Sequence, residues 1–133
     1  MKISSSRQSI DAPILEVFEF LCLAENIGEI LPPDKISDFQ VTADGCNFKA
    51  QAGVEISLHY VKKDSPTLIE LKSGSKAPFP YTLQIHLRPE EKGCSGHMEF
   101  NGEVNLFVKM LVEKPLTKLF NEMSDRLKEV FEK

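Results

Sequence analysis

His59, His86 and His97 are the residues of this chain best suited to holding a metal ion or moving a proton near neutral pH. Each lies where polar and apolar residues alternate, and each has the polar parity: His59 with Glu55 and Ser57, His86 with Gln84, His97 with Glu99. A hairpin centred between Glu91 and Lys92 sets His86 opposite His97, and an imidazole pair across two strands can hold a metal. Two ligands are too few for a site, so the histidines read as solvent-face residues and no metal is expected. The cysteines, Cys22, Cys46 and Cys94, are odd in number and form no Cys-x-x-Cys pair, which indicates neither a disulfide framework nor a zinc knuckle. They read as packing thiols.

Acid–base catalysis needs ionisable groups held away from water so that their pKa values shift. The apolar parity supplies few. Ile56, Leu58 and Tyr60 share one face of a segment, followed by Ile69 and Leu71, then Tyr81, Leu83 and Ile85, then Met98 and Phe100. Tyr60 and Tyr81 are the polar handles of that face, since a buried phenol carries one oxygen that usually finds a partner. Arg7 or Ser5, and Glu113 or Lys109, are the ionisable or polar residues outside these strands that could turn inward. No catalytic residue and no cofactor are assigned.

These residues need elements to position them. Asp11-Ala12-Pro13 reads as a helix start with proline in the first turn, and Ile14, Val17, Phe18 and Leu21 make its buried stripe over 13–21. A second helix over 23–31, with Leu23, Ile27 and Ile30 inward, is stopped by Pro32-Pro33. From Ile36 the period changes from 3.6 to 2 and stays so for about seventy residues, which predicts antiparallel strands wet on one face. Asp44-Gly45 and Glu90-Glu91-Lys92-Gly93 read as turns.

The period then returns to 3.6 over 105–131. Leu116, Leu119, Phe120, Met123, Leu127 and Val130 form one helical stripe. Phe107 and Met110 are assigned with Phe120 and Met123 to the surface facing the sheet, and Pro115 is expected to kink or break the helix near Val112 to Lys114. One apolar-faced sheet and one apolar-striped helix have an obvious packing solution: the sheet curls, and the helix lies in its concave side. The connection Ser73-Gly74-Ser75-Lys76-Ala77-Pro78-Phe79-Pro80 should then meet Ala52-Gly53 and Gly102 to Leu106 at the cavity mouth, with Phe79 as a lid.

At 133 residues and 41% hydrophobic content the chain reads as one domain, 1–133. A net charge of −4 without a Lys/Arg cluster argues against nucleic acid. The N-terminus, MKISSSRQS, lacks the apolar region of a signal peptide, and no run approaches the ~18 apolar residues of a spanning helix. A cytoplasmic protein without stable membrane insertion is expected.

The order strand, helix, helix, six or seven antiparallel strands in all, long C-terminal helix resembles the α+β helix-grip fold of the START/SRPBCC superfamily. Local matches are Ile10-Asp11-Ala12-Pro13 followed by Val17-Phe18 and Leu21, the Asn26 to Leu31-Pro32 stretch, and Lys114-Pro115-Leu116. The resemblance implies a cavity between sheet and helix that holds a hydrophobic small molecule or lipid. It leaves open a polyketide cyclase/dehydrase-like enzyme, or a module with a filled interior that binds a protein partner.

Overall fold

The computed structural model describes residues 1–75 and 77–132, with the backbone alone at Ala52. Lys76, within the connection expected at the cavity mouth, lies outside the described residues. The chain opens with β1 (Lys2–Ser4) and β2 (Gln8–Ile10), followed by α1 (Ile14–Leu21) and α2 (Ala24–Ile30). Then come β3 (Ser37–Val41), β4 (Gly45–Lys49), a 3-10 turn (Gln51–Gly53), β5 (Glu55–Asp64), β6 (Leu68–Ser73), β7 (Tyr81–Pro89) and β8 (Cys94–Gly102). A final helix, α3, runs Leu106–Val130.

The strands form one antiparallel sheet in the order β1-β8-β7-β6-β5-β4-β3, with β2 also on β8. The expected count of six or seven becomes eight because the first extended segment is divided. Between β1 and β2 the Ser5 side chain turns under the sheet. Its N–H donates to the Met98 carbonyl and its Oγ accepts from the Met98 N–H, both at 2.8 Å, so the ladder stays satisfied across the break. The β7–β8 register pairs His86 with His97, as a hairpin centred on Glu91 and Lys92 requires.

Strand alternation decides what the sheet buries. Along β7 the burial alternates strictly from Tyr81 to Leu87, and Met98 and Phe100 repeat it on β8. α1 buries Val17, Phe18 and Leu21. α2 buries Ala24, Ile27 and Ile30, and ends at Leu31, held extended by the proline that follows. Leu23, expected inside, is 54% exposed because it stands outside α2 as its extended N-cap.

α3 packs against β1, β2, β8, the 3-10 turn and α2. It runs through Pro115 unbroken, so the expected interruption does not occur. The bond that Pro115 cannot make is the one to the Leu111 carbonyl, and Leu111 is 56% exposed, where water can satisfy it. Among the described residues, no helix is long and apolar enough to cross a membrane.

Candidate ligand site at the mouth of the sheet

Most of the residues assigned to a central cavity are brought together and pack against one another. Ile69, Leu71 and Met123 expose none of their surface, and Ile56, Leu58, Leu83, Ile85, Met98, Phe100 and Phe120 expose 1% each. Among the described residues these side chains belong to one packed core, which occupies the space of the expected pocket beneath α3. Aromatic rings do much of the filling. Phe120 packs on Phe100 at 5.0 Å between centroids, Phe100 on Tyr81 at 5.0 Å, and Tyr81 edge-on to Phe79 at 5.6 Å.

The two phenols are committed to backbone. Tyr60 donates to the Leu21 carbonyl at 2.7 Å, tying β5 to the end of α1, and burial pushes its pKa up. The Tyr81 hydroxyl bonds Ser57, and burial raises its pKa to about 12. Neither is a free handle for a ligand. Burial likewise pushes the Cys46 thiol up to about 12, which keeps it protonated and inert.

Phe107 and Met110 are corrections. They are 69% and 76% exposed and do not face the sheet. At 3.6 residues per turn, Phe107 lies about 180° around the helix from Leu116 and Met110 about 140° from Met123. With Leu106 and Leu111, also exposed, they make an apolar outer surface over the first turns of α3.

A hollow does lie at the mouth. A half-open hollow of about 570 Å³ is lined by Val54 after the 3-10 turn, Pro78 and Phe79 from the β6–β7 connection, Val104 before α3, and Val108 and Val112 on α3. These are the three connecting segments expected there, joined by one helix face. Phe79 is half-buried, with its ring over Gly102; a Cβ there would stand 3.0 Å from that ring and 3.2 Å from Phe100, so the close approach depends on glycine. Of this lining the sequence singles out Phe79, from its place between two prolines in the connection. Val112 and Val108 continue the Leu116 stripe backwards in steps of four, a signal that could have found them. Glu55, Glu103 and Asn105 supply the polar lining. Asn105 caps α3, its Oδ1 accepting from the Val108 N–H at 2.9 Å.

Of the polar residues offered as inward-turning, Ser5 is buried, its Oγ 2.8 Å from the Ser124 Oγ. Arg7 turns to the outer face and donates to the Ser95 Oγ at 3.2 Å. Lys109 and Glu113 pair with each other along α3 at 3.8 Å. The histidines lie on the outer face, partly exposed: His59 Nδ1 is 2.7 Å from Asp44, while His86 and His97 both approach Glu99.

No protein-family model matches the chain, and no curated protein matches it in sequence. Solved structures do. Norcoclaurine synthase of Thalictrum flavum, as a point mutant with a transition-state analogue, superposes with a TM-score of 0.76 at 15% identity, over 98% of this chain and 93% of that one. The KanY protein superposes at 0.76 with 16% identity, covering 100% and 98%. CalU16 of Micromonospora echinospora gives 0.60 at 19% identity, covering 95% and 71%. This chain has the helix-grip α+β fold of these structures.

In a helix-grip chain the grip is the curled sheet closed on its last helix. Here that grip is tight beneath the C-terminal half of α3, where Leu116, Leu119, Phe120, Met123 and Leu127 are buried. It is looser at the N-terminal turns, where Val108 and Val112 line the hollow.

Proposed function

We propose that this chain binds a hydrophobic small molecule or lipid chain in the hollow at the mouth of the sheet, as a binder or carrier. The observation that carries the reading is the composition of that hollow. Val54, Pro78, Phe79, Val104, Val108 and Val112 present an apolar wall around about 570 Å³, within the range of small-molecule sites. The exposed Leu106, Phe107, Met110 and Leu111 lie on the adjoining turns of α3 and offer an apolar path for a ligand leaving a membrane or another carrier. Phe79 is the outermost of four packed rings, so a ligand seated on it rests on a braced surface.

A second reading is an enzyme, favoured by Glu55 and Glu103, two acidic residues in the lining. One of the solved structures with this fold is a synthase. Catalysis would require one of these two groups to touch the substrate; binding alone would not.

Titration with a fluorescent fatty acid tests the reading. Saturable binding is expected for the native chain, lost in Val108→Asp, which puts a carboxylate into the apolar wall, and kept in Phe107→Ser and in Glu55→Gln. Binding lost in Phe107→Ser but kept in Val108→Asp, with both variants folded by circular dichroism, would place the ligand on the outside of α3 and overturn it.

A further inference from the structure

The outer face of the sheet carries a constellation that the hollow does not use. His86 on β7 and His97 on β8 are cross-strand partners, and Glu99, two residues along β8, shares their face. One oxygen, Oε2 of Glu99, stands 3.1 Å from His86 Nε2 and 3.2 Å from His97 Nε2. The imidazoles are stacked, with centroids 4.9 Å apart and planes 11° from parallel. One ligand atom from each of the three residues can be chosen so that all lie within 4.8 Å of one another. The geometry points to a binding site for a divalent late transition metal of the Zn²⁺ class, held by His86, His97 and Glu99 with its remaining coordination position open to water.

The distances favour this. Bonds of about 2.0–2.1 Å to nitrogen and oxygen place tetrahedral ligands about 3.3–3.4 Å apart. Both oxygen-to-nitrogen separations are already within a few tenths of that, and closure on an ion requires the near-parallel rings to rotate so that both Nε2 lone pairs aim at one point. Two imidazoles and one carboxylate suit Zn²⁺, Cu²⁺, Ni²⁺ or Fe²⁺; Mg²⁺ and Ca²⁺ prefer an all-oxygen set.

The surroundings hold the ligands in place. Lys2 stands 3.7 Å from the other carboxylate oxygen, Oε1, leaving Oε2 to the histidines. His86 Nε2 also meets Gln84 Oε1 at 3.2 Å, a contact that metal binding at Nε2 would give up, while the Gln84 amide stays tied to Glu70 at 2.9 Å. Nδ1 of His97 is buried without a hydrogen-bond partner, so that ring presents only Nε2 outward. With a metal on Nε2 the neutral ring carries its proton on Nδ1, which is without a hydrogen-bond partner in either tautomer. Reading the pair as two ligands undercounts the site, because Glu99 is the third.

The test uses the full chain, stripped with a chelator and titrated with Zn²⁺ by calorimetry, with Co²⁺ absorption reporting geometry. One Zn²⁺ per chain is expected, weakened by more than about tenfold in each of His86→Gln, His97→Gln and Glu99→Gln. His59→Gln, which alters the separate pair with Asp44, should bind as the native chain does. Fatty-acid binding in the hollow should be unchanged by all four substitutions, so this inference and the proposed function fail separately. Absence of stoichiometric binding, or binding that survives Glu99→Gln and His86→Gln in folded variants, would overturn the assignment.

Discussion

The Tyr81 hydroxyl engages both backbone polar groups of Ser57, accepting from its N–H at 2.7 Å and donating to its carbonyl at 3.0 Å. Ser57 lies one residue beyond the last β5–β6 pair, Leu58 with Ser73, so a side chain supplies the next rung where β6 has ended. The Ser57 carbonyl also accepts from Gly74, but its N–H has the phenol as partner. Tyr81→Phe should therefore orphan a buried donor and cost about 1–3 kcal/mol, read as a lower urea midpoint with unchanged slope.

The same residue gives a prediction in pH. Burial raises the folded Tyr81 pKa from 10.0 to about 12, so between those values the unfolded chain loses a proton that the folded chain keeps. The unfolded state binds fewer protons there, and stability falls as pH rises from about 10 toward 12. Tyr81→Phe should flatten that fall relative to the native chain, seen in denaturation midpoints measured across the range. An unchanged slope would assign the alkaline loss to other groups.

Ser5 and Ser124 share a buried hydrogen bond, and Ser5 Oγ also accepts the Met98 N–H. Ser5→Ala leaves two buried partners unpaired, whereas Ser124→Ala leaves Ser5 still bonded to the backbone. The first should cost about 1–3 kcal/mol and the second less, and the double variant should fall short of their sum, as measured by a double-mutant cycle in urea.

Phe120 stands at the inner end of the row of rings and exposes 1% of its surface. Phe120→Ala should cost about 3–5 kcal/mol and open a dry cavity that xenon or benzene can enter. Met110→Ser removes an apolar side chain that is 76% exposed and should change stability by less than about 0.5 kcal/mol. Thermal unfolding of the two side by side checks both.

Much of this architecture is legible in the sequence because a sheet wet on one face imposes period 2. Ile56, Leu58, Ile69, Leu71, Leu83, Ile85, Met98 and Phe100 are buried where that period puts them, and the turn at Glu91-Lys92 fixes His86 opposite His97. The site is less legible. Parity says which side chains converge; it does not say whether they leave room, which depends on how the rings of Tyr81, Phe100 and Phe120 stack. Met110 and Phe107 fall outside the stripe because helical spacing, counted through, turns Met110 about 140° from Met123 and Phe107 about 180° from Leu116. The shared oxygen of Glu99 depends on side-chain rotamers, which no periodicity encodes. Ser5 was ambiguous because a serine-rich strand has no parity to read.

Pro115 has a consequence for how the protein opens. It removes one link of the α3 ladder near the boundary between turns whose large apolar residues already face water and turns that are buried. The later turns are also fastened laterally: the Asn121 side chain accepts from the Ser6 N–H, Ser124 meets Ser5, and Asp125 accepts from Gln8. Undoing the first turns withdraws little more than Val108 and Val112 from the hollow, and undoing the rest dismantles the core. Two exchange classes should thus exist within one helix, with amides before Pro115 trading deuterium far sooner than those of residues 119–127. The early class describes a door that swings on the proline while its frame stays shut.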